Sequence, residues 1–208
     1  MSHSITGFFF RHRGRVAVAV GLAALVYLFV RGQDFLARDP QEEWLDLLGI
    51  AMAALGHLIR VVALRSIGPS SRTTVVCTDS LITDGPYSVV RNPLYLGNWL
   101  IASGLVLIAH LRWLLLIGPL GSALLYYLVV LHEEKSLRQK FGETYSAYCR
   151  AVPRFWPRAL ATAAGWRAFW GGQRRWEVLR SKEYWALVAT GLTVILFESA
   201  EYLKNFRV

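Results

Sequence analysis

Five apolar stretches, near residues 12–30, 44–64, 94–111, 113–132 and 183–203, constrain this chain more than any other feature. A bilayer core takes about 20 mostly apolar helical residues, and each stretch comes close to that length. Only helices that satisfy their own backbone can cross hydrocarbon without closing into a barrel. The pattern therefore predicts an all-α, polytopic membrane protein with about five transmembrane helices. Composition agrees, with 54% of the 208 residues hydrophobic and 18% charged, below the charged share usual in soluble domains.

The formal charge is still +9, so the basic residues crowd into the connections. Arg11, Arg13 and Arg15 precede the first stretch; Arg65, Arg72 and Arg91 fall between the second and third; and 133–182 holds a long series from Lys135 to Lys182. By the positive-inside rule, these three segments face the cytoplasm. Five spans then put the C-terminus outside. Basic residues scattered between spans suit anionic headgroups and not nucleic acid. Cys77 and Cys149 stand alone, without the spacing of a disulfide framework or a metal site. The basic N-terminus ahead of Val16 has the outline of a signal peptide, but no small-residue cleavage site follows it, and a retained first span is expected. Within the second stretch, His57 and Arg60 read as side chains snorkelling to the interface on the side of Arg65, with a substrate role as the alternative.

Residues 94–132 form two apolar stretches joined at His110-Leu111-Arg112, a helical hairpin whose ends emerge together. Entering it, Thr83-Asp84-Gly85-Pro86-Tyr87 has turn chemistry; Asn92 can cap a helix, and Pro93 suits its first position. The helix start and Arg91 together favour a carboxylate or phosphate on a ligand, although an arginine here can also be only a topological anchor. Leaving it, Glu133 and Glu134 sit where helix passes from lipid to water, and Glu133, Leu137 and Phe141 share one face of a continuing amphipathic helix. Arg91 and Glu133 are expected to be neighbours. One glutamate can instead pair with Arg138 on the surface. Phe141-Gly142 ends that helix, Tyr145 and Tyr148 lie on one face of a second short one, and Val152-Pro153-Arg154-Phe155-Trp156-Pro157 follows as an extended, rigid segment. Residues 159–172 read as a linker or an interfacial stretch.

In order, G-x-Y-x-x-x-R-x-P-x-Y-x-G, the hairpin, and E-E-x-x-L-x-x-x-F-G-x-x-Y-x-x-Y-x-x-x-V-P-R-x-x-P cover residues 81–157. This arrangement resembles the isoprenylcysteine carboxyl methyltransferase family and the related phospholipid methyltransferases. The resemblance implies a cytoplasmic cap enclosing S-adenosylmethionine and a lipophilic acceptor arriving through the bilayer. Carried onto this chain, it places Thr83, Gly85, Tyr87, Arg91, Asn92, Pro93, Tyr95 and Leu96 along the cofactor, with Glu133 and Glu134 as its second wall. Where the family usually has histidine, this chain has Asn92, which can hydrogen-bond but cannot titrate near neutrality.

Methyl transfer from a sulfonium asks mostly for alignment and exclusion of water. Arg154, with Glu134, is the candidate for the reacting end, holding an anionic acceptor such as a prenylcysteine carboxylate or a lipid phosphate. Phospholipid headgroup anchoring is its alternative role. The expected partners are thus a lipophilic or lipidated acceptor and membrane lipids, with no metal and no nucleic acid. Membrane sterol reductases share the arginine-x-proline-x-tyrosine segment but use NADPH, and a non-catalytic scaffold with a degenerate site is a third reading. The chain divides into helices 1–80, a methyltransferase core 81–157, and a basic linker with a last helix, 158–208.

Overall fold

The computed structural model describes residues 43–67, 80–109, 114–172, 187–188 and 190–195. The expected first span, the 110–112 turn, Cys77 and most of the last span lie outside them. Among the described residues the architecture is all-helical, without strands: α1 is Glu43–Ile67, α2 Pro93–Ile108, α3 Leu114–Ala151 and α4 Ala163–Trp170. Helices α1 and α3 are long and apolar enough to cross a membrane, and α2 is a shorter apolar helix. Acidic Glu43 and Asp46 open α1 and Arg65 closes it, each at the end of the helix dipole that favours it.

Glycines decide how α1 meets α2. A methyl group on Gly49 would lie 2.6 Å from the Gly104 carbonyl oxygen, and one on Gly56 would lie 2.6 Å from that of Gly97. Residues seven apart on each helix thus make an antiparallel seam of backbone against backbone. In lipid, where water drives no helix together, close approach through small residues is the main source of helix affinity. Two polar residues of α1 use the same packing. His57 is buried and its Nε2 lies 2.9 Å from the Thr190 hydroxyl, while Arg60 bonds to the Asn98 side chain of α2. The expectation of snorkelling is corrected for His57, a buried side chain whose partner lies on another helical segment; Arg60 stays half-buried.

Between α2 and α3 the contact is looser and aromatic. The Trp99 indole donates to the Pro119 carbonyl at 3.0 Å, and Tyr95 stacks obliquely on Tyr126 with centroids 5.9 Å apart. Helix α3 breaks at Gly142, whose φ of 54° lies in the left-handed region. Glycine takes that conformation without the cost a β-carbon adds, so the sequence-based end at Phe141-Gly142 becomes a sharp turn between two helical pieces.

The second piece carries the chain back over the start of α2. Tyr148 donates to the Tyr87 carbonyl at 2.6 Å, and the Arg91 amide donates to the Pro153 carbonyl at 2.9 Å. Residues 158–172 then fold onto the same end. Thr162 caps α4 by accepting from the Gly165 amide at 3.1 Å, and Phe169 packs with Val62 and Val89. In the same helix, Trp166 and Trp170 stay partly exposed, as aromatic residues do at a membrane interface.

Candidate functional site

The polar residues of the hairpin ends converge on Glu134. Its side chain is 4% exposed and receives a two-point grip from Arg154, Nε to Oε1 at 3.0 Å and Nη2 to Oε2 at 2.7 Å. Arg91 Nη1 approaches the same Oε1 at 3.2 Å. A planar guanidinium matches a carboxylate in this way, and Glu134 draws the Arg154 pKa further above its ordinary value. Nearby Glu133, equally buried, accepts from the Tyr95 hydroxyl at 2.7 Å.

The expected pairings therefore shift by one residue. Arg91 meets Glu134, and Glu133 takes Tyr95 instead. Consecutive residues on a helix point about 100° apart, so the two adjacent glutamates reach different partners. Neither ion pair involves Arg138; its guanidinium lies over the Tyr145 ring, 5.8 Å from the centroid.

Asn92 stands just before α2 but makes no side-chain cap. Its amide instead donates to the Arg154 carbonyl at 3.3 Å, fastening the segment after α3 to the segment before α2. Pro93 takes the first helical turn as its chemistry suggests. Gly85 has φ 58°, and a β-carbon there would lie 2.5 Å from Ser66 Oγ; the turn can lie on the end of α1 only because the residue is glycine. Of the remaining expected residues, Tyr87 is fully buried, Tyr95 and Leu96 border the cavity described next, and Thr83 is exposed.

Two buried polar atoms here lack a hydrogen-bond partner among the described residues: the Tyr87 hydroxyl and Arg91 Nε. Burial raises the Tyr87 phenol well above its usual pKa, and the Glu133 carboxylate adds to the shift. Tyr148 is also raised by burial, with the Arg91 charge opposing. Two neutral phenols thus surround the carboxylates and guanidiniums.

Beside this cluster lies a cavity of about 570 Å³, between α1, α2, α3 and the 155–170 segment. Tyr95, Leu96 and Trp99 of α2 line it, with Trp156, Trp166 and Trp170 from the returning chain. Its size is that of a small-ligand site. Sequence reading missed this cavity and also missed Cys149, whose Sγ lies 2.7 Å from Arg91 Nη1. The four-residue spacing of Tyr95 and Trp99 was an available signal, because it puts both rings on one helix face.

Residues of two separate loops meeting on a buried glutamate, beside an apolar cavity between helices, define a helical protein with a buried polar site. Residues 44–144 match the phospholipid methyltransferase family. The chain is 33% identical over 161 residues to the cobalt-zinc-cadmium resistance protein CzcN of Cupriavidus metallidurans, covering 76% of this chain and 69% of that one. It is 28% identical over 147 residues to protein-S-isoprenylcysteine O-methyltransferase B of Arabidopsis thaliana, covering 65% and 71%. To protein-S-isoprenylcysteine O-methyltransferase of Xenopus laevis it is 32% identical over 120 residues, 54% of this chain and 41% of that protein. This chain belongs to the isoprenylcysteine and phospholipid methyltransferase family. No solved structure matches it.

Proposed function

We propose that this protein is an integral, multi-pass membrane methyltransferase that uses S-adenosylmethionine to methylate a lipophilic acceptor, with its cofactor cap on the cytoplasmic side. The carrying observation is the junction of the ion cluster with the apolar cavity. A charged methyl donor and a hydrocarbon acceptor need adjoining environments of opposite polarity, and Tyr95 belongs to both.

The residues fit this cofactor. Its carboxylate suits the buried Arg91 Nε, and the Tyr87 hydroxyl is a second buried donor without a partner among the described residues. Glu133 and Glu134 supply carboxylates for the ammonium or the ribose hydroxyls. Thr83, Gly85, Asn92, Pro93 and Leu96 complete the wall, Asn92 by holding the Arg154 segment in place. Arg154 and Glu134 border the reacting end. When bound, the cofactor supplies an electrophilic methyl group; the chain itself aligns the acceptor and excludes water. Prenylcysteine carboxylates and phospholipid headgroups are acceptors of the lipophilic class that the cavity suits.

Calorimetry on the detergent-solubilised protein tests the reading. S-adenosylmethionine is expected to bind, and Arg91→Ala and Glu133→Ala to abolish binding. Binding of NADPH in its place would establish the reductase alternative, and binding of neither would leave a scaffold. Radiolabelled methyl transfer to extracted membrane lipids would then identify the product.

A further inference from the structure

The returning chain carries a surface that the ion cluster does not use. Helix α4 buries Gly165 and Phe169, four residues apart and so on one face. That face is fastened to the protein: Phe169 packs with Val62 and Val89, and a β-carbon on Gly165 would collide with the Ala159 carbonyl. The remaining surface of the helix is exposed and holds Trp166, Arg167 and Trp170. Just ahead of it Trp156 is 76% exposed, and Arg158 is exposed as well.

Charge on this surface has one sign. Residues 144–176 include no Asp or Glu. Glu134 holds Arg154 and Glu143 holds Arg150, whereas Arg158 and Arg167 have no ion-pair partner among the described residues. Asp84 lies against Gly172, past the end of the helix. Depth is fixed by Phe169, which packs on Val62 three residues before Arg65 closes α1, where an apolar span gives way to a basic connection. Trp156, Trp166 and Trp170 also line the cavity, together with Leu55 and Leu58 of α1, which are exposed in turn. The exposed rings therefore continue into the outer face of a helix apolar enough to cross a membrane. An exposed apolar surface of this kind marks an interaction site, and one continuous with a spanning helix is covered by lipid. Indoles beside unpaired arginines suit the boundary between acyl chains and anionic headgroups.

We propose that residues 156–170 form a binding surface for anionic phospholipid at the mouth of the cavity. Trp156, Trp166 and Trp170 sit at the boundary between acyl chains and headgroups, and Arg158 and Arg167 hold the anionic headgroups. The cavity then opens at headgroup depth and not at the bilayer midplane. This inference rests on the integral-membrane part of the proposed function and is independent of the methyl donor.

The test uses the full chain in nanodiscs of phosphatidylcholine and phosphatidylglycerol with the same acyl chains. Lipids that stay bound on release into detergent are counted by native mass spectrometry. Phosphatidylglycerol is expected to be retained over phosphatidylcholine, and Arg158→Gln with Arg167→Gln to lower that preference about tenfold, since each basic residue near a charged surface adds to the attraction. Arg150→Gln removes the same charge from a residue already paired with Glu143 and should leave the preference unchanged. A double variant that keeps the wild-type preference, or an equal loss with Arg150→Gln, overturns the proposal. Depth is read from tryptophan quenching by lipids brominated either near the glycerol or near the chain end. Replacing Trp156, Trp166 and Trp170 by Phe should reduce quenching by the shallow bromines about twofold and barely change quenching by the deep ones; equal losses at both depths, or none, would also refute it. A chain that fails to enter nanodiscs at all defeats the integral-membrane reading, whereas entry without a headgroup preference defeats only this inference.

Discussion

Helix α2 meets one neighbour through glycine and the other through aromatic rings, and the two interfaces do opposite things. Against α1, Gly97 and Gly104 bring backbone onto backbone and leave no space. Against α3, Tyr95, Trp99 and Tyr126 hold the helices apart and help to enclose the cavity. A seam without side chains fixes geometry; a seam of large rings makes room for a ligand. The ion cluster sits at the end of the looser interface, where Glu134 of α3 and Arg91 ahead of α2 tie together what the rings separate.

The sharpest challenge to this contrast removes the tie. Glu134→Ala strands two guanidiniums beside a hydrophobic cavity, and unfolding in detergent should show a loss of ~3–5 kcal/mol, the range for breaking a buried pair. A smaller loss would mean that the aromatic interface holds itself closed. Overfilling the tight seam comes next. Gly56→Leu drives a side chain into the Gly97 backbone, which cannot yield as a flexible side chain can, and should cost ~1–3 kcal/mol by the same measurement. The same change on the open face, at Gly121, where nothing lies within 4 Å, should be nearly silent.

A subtler probe is Tyr148, which donates to the Tyr87 carbonyl. Burial raises its folded-state pKa above the usual phenol value of about 10. The folded state then keeps a proton that the unfolded chain gives up, so stability falls as pH rises through and above that value. Tyr148→Phe should lose about 1 kcal/mol near neutrality and show a flatter alkaline decline in a pH series of melting temperatures. The smallest effect belongs to Arg150 and Glu143, paired at 2.7 Å but with side chains 68% and 80% exposed. Arg150→Ala should change stability by less than ~0.5 kcal/mol, and high salt should remove even that.

Much of the site was legible in the order of the residues. The two motifs bracket an apolar hairpin, so the chain that enters with Arg91 must leave near Glu133 and Glu134. The break at Gly142 and the helix start at Pro93 also follow from backbone chemistry, since both depend on φ alone. Asn92 shows where such reading stops. Its type permits a helix cap, yet its amide reaches Arg154, 62 residues away in the chain, and no local rule ranks those two partners.

The sequence by itself determined that this chain is helical and apolar, that its polar motifs meet at one end of a hairpin, and which family it resembles. Hydrophobic length and backbone preference are properties of short segments, and they survive in any arrangement. Only the tertiary structure decided that Arg91 and Arg154 converge on Glu134, that Gly49 and Gly56 face Gly104 and Gly97, and that a cavity remains beside Tyr95. Those outcomes depend on the rotation and separation of whole helices, and a difference of one residue turns a side chain about 100° away.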